Sequence, residues 1–142
     1  MLDQELHFLL LRAFHHSNRL ITQQITALGL CPGQPKILEY LLEHGGCIAR
    51  DICRDCVLDK STMTNLLGRM VRQGLIEREE NGQDKRASFL RLTDQGRALA
   101  EQAKEIFRKT DDRAARNLSS EEQAQLARLL KMVTLNLEEE TE

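Results

Sequence analysis

The sequence predicts a mainly α fold with a small β component (α+β), and three observations carry that expectation. Apolar residues recur at spacings of three and four over most of the 142-residue chain. The stretch "LIEREENGQDKRASFLRL" reads instead as two β-rich runs joined through a turn-forming Asn-Gly. The joints between periodic segments carry the Gly, Pro, Asp, Ser and Thr residues that start and stop helices.

Residues 4–27 form the first expected helix, with Leu6, Leu9, Leu10, Ala13, Phe14, Ser17, Leu20 and Ile21 on one stripe and Gly29 beyond its end. "CPGQPKILEYLLEHGG" gives a second, shorter helix: Pro35 stands near its first turn, Ile37, Leu38, Leu41 and Leu42 share a face, and Gly45-Gly46 stop it. Cys47-Ile48 is too short for an independent strand but can pair with one elsewhere. "ARDICRDC" fits two helical turns, with Ala49, Ile52, Cys53 and Cys56 facing one way and Arg50, Asp51, Arg54 and Asp55 the other.

Asp59 is a good N-cap for the next helix, and Gly74 a good residue just past its end. Within it, Met63, Leu66, Leu67, Met70 and Val71 make the expected buried stripe. Ser61, Thr62, Asn65, Arg69 and Arg72 lie outside, with Thr64 at the border. Leu75–Glu79 and Ala87–Leu92 then form a hairpin with a charged tip, "ENGQDKR". Thr93 caps a helix that keeps its spacing to about Asn117, and Ser119 with Glu122 forms a capping box for the last one. Leu126, Leu129, Leu130, Val133 and Leu137 make that last helix's stripe.

Composition narrows the function classes. Hydrophobic content of 41% and charged content of 30% belong to an ordinary folded protein of about one domain. The longest apolar run near the N-terminus, Phe8 to Leu11, is far too short for a bilayer, and Asp3 and Glu5 stand where a signal peptide would be cationic. A cytoplasmic protein without a membrane partner is expected. Cys31, Cys47, Cys53 and Cys56 should then stay reduced. The net charge of −2 argues against coating of nucleic acid by the whole surface, but four of the acids sit in the terminal "EEETE". No phosphate loop, nucleophile elbow or paired catalytic acid motif is present, so neither an enzyme nor a cofactor is expected.

The middle of the chain therefore orders as a helix-turn-helix followed by a hairpin wing. In such a unit the polar-faced helix can enter the major groove of DNA while the wing reaches along the backbone. Asn pairs with adenine, Arg with guanine or phosphate, and Ser and Thr hydroxyls serve either, although a solvated face would tolerate the same residues. At the tip, Asn81-Gly82 supplies the turn and Lys85 and Arg86 the cations; Asp84 lies two residues from Arg86 and can orient its guanidinium in an extended segment.

"LDKSTMTNLLGRMVRQGLIER" resembles the recognition helix and first wing strand of the MarR family of winged helix-turn-helix regulators. "DKRASFLRLTDQG" is similar to its Asp-x-Arg and Leu-Thr-x-x-Gly wing signature. With "LGLCPGQPKILEYLLEHGG" and the two terminal helices, the resemblance spans nearly the whole chain. It implies a homodimer on double-stranded DNA with a pseudo-palindromic operator, a repressor role, and a small-molecule effector pocket between the dimerisation and DNA-binding parts. One domain over 1–142 is implied, with 31–93 as the winged helix-turn-helix and 1–30 and 94–142 mainly dimerisation helices. Leu6, Leu9, Leu10, Leu126, Leu130, Val133 and Leu137 would line the dimer contact, which their apolar periodicity supports independently.

By residue, the resemblance puts Ser61, Thr62, Thr64 and Asn65 at the groove-facing start of the recognition helix, Lys60 and Arg69 nearby, and Arg86 in the wing. Lys85, Arg72 and Arg50 suit phosphate contacts. His16 would contribute to the effector pocket. Two departures stand out: Gly68 inside the recognition helix, and Asn65 where many relatives carry Arg. The alternatives are a thiol-based redox sensor on the same scaffold, raised by Cys53 and Cys56 in "CRDC", and a helical dimeric adaptor without DNA binding. His44, Cys47, Cys53 and Cys56 have the residue types for zinc but no reason to converge, so no metal is expected.

Overall fold

The structure, a computed structural model, describes residues 1–79 and 89–139. A short 3-10 turn at Leu2–Gln4 leads into α1 (Leu6–Ala27); α2 (Gln34–His44), β1 (Cys47–Ile48), α3 (Ala49–Asp55) and α4 (Lys60–Arg72) follow. The hairpin strands are β2 (Ile76–Glu79) and β3 (Phe89–Leu92), and α5 (Asp94–Ala114) and α6 (Ser120–Glu138) complete the order. The fold is mainly α with a three-stranded antiparallel sheet, as the sequence predicts. The chain separates into two compact units, Met1–Thr110 and Asp111–Glu142.

The core of the first unit draws on nearly every element. Ile25 of α1, Ile37, Leu38 and Leu41 of α2, Ile52 of α3, Met63, Leu67 and Met70 of α4, and Ala100 of α5 are all buried. Ile76 and Leu90 close it from the sheet. Burying each large side chain contributes about 1.5–3 kcal/mol, so α4 is held by its inner face and leaves the other free. That face differs from the expected stripe at one place. Val71 is 37% exposed, because the buried line runs Met63, Leu67, Met70 and Val71 stands a further roughly 100° round the helix.

Cys47-Ile48 does find a partner: Cys47 pairs with Leu90 and Ile48 with Phe89, which places β3 in the middle of the sheet in the order β1-β3-β2. On the other side Ile76 pairs with Leu92 and Glu79 with Phe89. Glu77, Arg78 and Glu79 are all exposed along β2, and Arg91 on β3 bridges Glu77 at 3.2 Å and Glu79 at 3.5 Å.

One junction ties α4, the hairpin strands and α5 together. Gly74, at φ +76, ends α4, and the Leu75 amide reaches back to the Met70 carbonyl at 3.0 Å in a Schellman-type close. The Thr93 hydroxyl donates to the Gly74 carbonyl at 2.6 Å and accepts from the Gly96 amide at 3.0 Å, while the Thr93 amide bonds the Leu75 carbonyl at 3.1 Å. Thr93 thus caps α5 as expected and also pins it to the end of α4. Gly96 must be glycine for a steric reason: a Cβ there would stand 1.8 Å from the Leu75 carbonyl oxygen.

A second tie joins α2 to α4. Gln34 is fully buried; its carbonyl oxygen accepts from the Cys31 amide at 2.9 Å and its amide donates to Gln73 at 3.0 Å. Nothing local marks this pair, because glutamine is mostly a surface residue and the two partners lie 39 residues apart.

In the second unit, Asn117 at φ +75 turns the chain, and Ser119 and Glu122 form the expected reciprocal capping box. α6 buries none of its side chains within this chain.

Gly96→Ala should destabilise the fold by about 3 kcal/mol or more, because backbone rather than a side-chain end must move to admit the methyl group. Thr93→Val, which keeps the shape but loses the cap, should cost about 1–2 kcal/mol. Urea titration of both variants checks the order.

Candidate nucleic-acid interface

α3 and α4 meet at a turn over Cys56–Asp59. Val57 takes φ +55 there and is 82% exposed, a conformation that β-branched residues rarely adopt. The chain then enters α4 through Asp59, whose carboxylate is more than a simple cap. Oδ1 accepts from the Thr62 amide at 2.8 Å and from the Ser61 hydroxyl at 2.8 Å, and Oδ2 accepts from the Thr62 hydroxyl at 2.7 Å. The Thr62 amide, then its hydroxyl, then that of Ser61 hold the Asp59 carboxyl down from its ordinary 3.8 to about 2. One turn on, the Thr64 hydroxyl donates to the Lys60 carbonyl at 2.8 Å.

Lys60, Ser61, Thr62, Thr64, Asn65, Arg69 and Arg72 are all exposed on α4. Gly68 leaves room along this face: a Cβ there would meet the Arg72 guanidinium at 3.4 Å. Arg50 is exposed at the second residue of α3. Arg54 is committed elsewhere, to Asp51 at 3.3 Å and Asp55 at 2.8 Å. Asp84, Lys85 and Arg86 lie outside the described residues.

Behind the turn lies a cavity of about 810 Å³, lined by Phe14 of α1, the Tyr40 and His44 rings of α2, Asp55, Cys56 and Val57. Lys36, Glu39, Glu43 and Lys104 add charges of both signs to its wall. The Tyr40 and His44 rings stack with centroids 4.0 Å apart, and the Tyr40 hydroxyl donates to Asp55 at 2.6 Å. That bond raises the Tyr40 phenol to about 12, and the Arg54 and Tyr40 donors hold the Asp55 carboxyl at about 2. His16 is exposed and does not line this cavity; it sits roughly 200° round α1 from Phe14, which does. The sequence did not reveal Tyr40, His44 and Asp55 as a group, since they come from separate elements.

Two half-buried thiols act as donors. Cys53 donates to the Leu58 carbonyl at 3.0 Å and Cys56 to the Lys36 carbonyl at 3.7 Å. Burial pushes Cys47 up to about 11 and Cys56 in the same direction, away from the reactive thiolate. Among the described residues no three metal-ligating side chains converge, and no helix is long and apolar enough to cross a membrane.

The MarR family model matches residues 28–87, from the end of α1 to the wing. The multiple antibiotic resistance protein MarR of Escherichia coli is 30% identical over 118 residues, which cover 82% of this chain and 81% of that protein. The chain belongs to the MarR family. The HTH-type transcriptional regulator YwhA of Bacillus subtilis is 34% identical over 86 residues, 61% of this chain; the match spans 62% of that relative, less than two thirds of its length. The fold matches that of S. aureus MepR in its DNA-binding conformation with a TM-score of 0.86 at 26% identity, over 94% of this chain and 99% of that one. The helix-turn-helix of this MarR-family chain is therefore α3 and α4, with β2 and β3 as the wing strands.

The Asp59 cap gives a pH signature. Its carboxyl titrates lower in the folded chain than in the unfolded one, so its contribution to stability is complete above about pH 4 and is lost as pH falls through about 2. The melting temperature of Asp59→Asn should therefore fall less than that of the wild type between pH 5 and pH 2, as followed by circular dichroism; parallel curves would assign the acid transition to other carboxylates.

Proposed function

We propose that this chain is a sequence-specific DNA-binding transcriptional regulator, acting as a homodimer on a pseudo-palindromic operator and repressing transcription by occupying a promoter. The observation that carries the reading is the outer face of α4. A helix anchored in the core by Met63, Leu67 and Met70 presents Lys60, Ser61, Thr62, Thr64, Asn65, Arg69 and Arg72 together to solvent. These side chains divide by chemistry. Asn65 and Arg69 suit base edges, whereas Lys60, Arg72 and, from α3, Arg50 suit phosphates. Arg86, two residues from Asp84 and next to Lys85 in the sequence, is assigned to the minor groove beside the wing on residue type and the family's pattern.

Dimerisation answers a separate physical need. α6 exposes Leu126, Leu129, Leu130, Met132, Leu135 and Leu137, and α1 exposes Leu6 and Leu9, with Leu10 and Val133 half-buried. Each such side chain gains about 1.5–3 kcal/mol when buried, and a second copy of the same chain supplies a matching surface. The cavity beside the α3–α4 turn falls within the size range of small-molecule sites, and its stacked Tyr40 and His44 offer a flat aromatic wall. It is the proposed effector site, with release from DNA as its output. Burial of Cys47 and Cys56, which holds both away from the thiolate, favours this reading over a redox sensor.

Selection of duplexes from a random pool at physiological salt tests the DNA reading. An enriched pseudo-palindrome with half-sites roughly one helical turn apart is expected, with binding that weakens steeply as salt rises. Asn65→Ala should lose about 1–3 kcal/mol of discrimination at one position of each half-site. A folded protein that enriches nothing would overturn the proposal and leave the dimeric adaptor in its place. Separately, Leu126→Asp combined with Leu130→Asp should convert the dimer to monomer or aggregate in sedimentation velocity, and an intact dimer would remove α6 from the interface.

A further inference from the structure

The hydroxyl groups at the start of α4 are committed on one side. A Ser or Thr hydroxyl has one proton to give and two lone pairs to receive with, so the direction of its first bond fixes what it can offer a second partner. Ser61 gives its proton to Asp59 Oδ1 at 2.8 Å and Thr62 gives its proton to Asp59 Oδ2 at 2.7 Å. Thr64 gives its own to the Lys60 carbonyl at 2.8 Å. An ionised carboxylate and a backbone carbonyl only accept, so none of these three bonds can run the other way.

We infer that Asp59 is a specificity-determining residue that never touches DNA: by taking the Ser61 and Thr62 protons, it makes those hydroxyls acceptors toward the major groove, so that they select base amino groups. This rests on the DNA-binding reading of α4. In the major groove only cytosine N4 and adenine N6 offer hydrogen to an acceptor, whereas guanine O6 and N7 and thymine O4 need a donor. Phosphate oxygens need a donor as well. Ser61 and Thr62 therefore face base edges rather than backbone, and the phosphate contacts fall to Lys60, Arg72 and, from α3, Arg50.

The two carboxylate oxygens have different duties, which makes the idea separable from capping. Oδ1 holds the Thr62 amide and the Ser61 hydroxyl; Oδ2 holds the Thr62 hydroxyl alone. In Asp59→Asn the amide oxygen can keep the Oδ1 place, and asparagine caps helices as well as aspartate does. The NH₂ group then takes the place of Oδ2 and donates to Thr62 Oγ1, which frees the Thr62 proton to point outward. The substitution reverses one hydroxyl and leaves its neighbour alone.

The experiment is parallel selection from a random duplex pool with full-length wild type and Asp59→Asn, each first shown to be folded by circular dichroism. Wild type should enrich cytosine or adenine on the strand facing Thr62, and Asp59→Asn should shift that single position toward guanine or thymine by about threefold to tenfold in relative affinity. The remaining positions should hold. The same preferred base for both proteins would overturn the inference while leaving the DNA-binding reading intact, and so would a wild-type preference for guanine or thymine there. A folded wild type that enriches no sequence would overturn both. Thr62→Val gives a second arm that does not disturb the carboxylate: the discrimination between cytosine and thymine at that position should collapse, and its survival would assign the preference to another residue.

Discussion

The junction around Thr93 is the constraint on which the rest of the arrangement depends. A single hydroxyl receives the Gly96 amide and donates to the Gly74 carbonyl, so the end of α4, the start of β2 and the first turn of α5 meet within one side chain's reach. Gly96 lets the helix backbone settle on the Leu75 carbonyl where any other residue would hold it off. Because Leu75 also closes α4 through the Met70 carbonyl, the pitch and end point of the recognition helix are fixed relative to the wing strands. The Gln34 and Gln73 bond fixes the same helix end from the other side, through α2. A helix whose outer face is polar and exposed needs such an anchor, since its outward side chains contribute little to holding it in place.

The cavity and the cap share a short segment of chain. Asp55, Cys56 and Val57 line the cavity, and Asp59, two residues past Val57, starts α4. Tyr40 reaches across from α2 to hold Asp55, while Val57 is kept in a left-handed conformation that it would not choose alone. A small molecule lying against the Tyr40 and His44 rings would therefore press on the turn that aims the recognition helix, with few intervening residues to absorb the movement.

Much of this was legible in the sequence because it rests on local chemistry. Asp59, Thr93 and the Ser119 and Glu122 pair each announce a helix start by residue type, and each does so in the structure. The polar outer face of α4 follows from helical spacing alone, and the error at Val71 is that of a stripe drawn one residue too wide. What stayed hidden depends on tertiary approach. Gly96 looked like one letter of a motif until the Leu75 carbonyl was found against it. The burial of Gln34 and the meeting of the Tyr40 and His44 rings with Asp55 depend on approaches between separate elements, and Phe14 rather than His16 is the α1 residue on the cavity wall. The assigned wing-tip residues Asp84, Lys85 and Arg86 fall outside the described residues, so their part in the interface rests on residue type and on the family's pattern.

The charges along β2 have a bearing on how copies of this chain meet. A strand at the border of a sheet carries unpaired amides and carbonyls that can recruit a strand from another molecule. β2 forms one border of the sheet and the two-residue β1 the other; the exposed residues of β2 are Glu77, Arg78 and Glu79, two of them ionically tied to Arg91. Bringing two such borders together would strip water from these charged side chains and compete with the Arg91 ion pairs, so strand-to-strand growth along β2 is opposed. A second molecule approaching this border meets hydrated charge rather than bare backbone, and open-ended pairing through β2 is disfavoured.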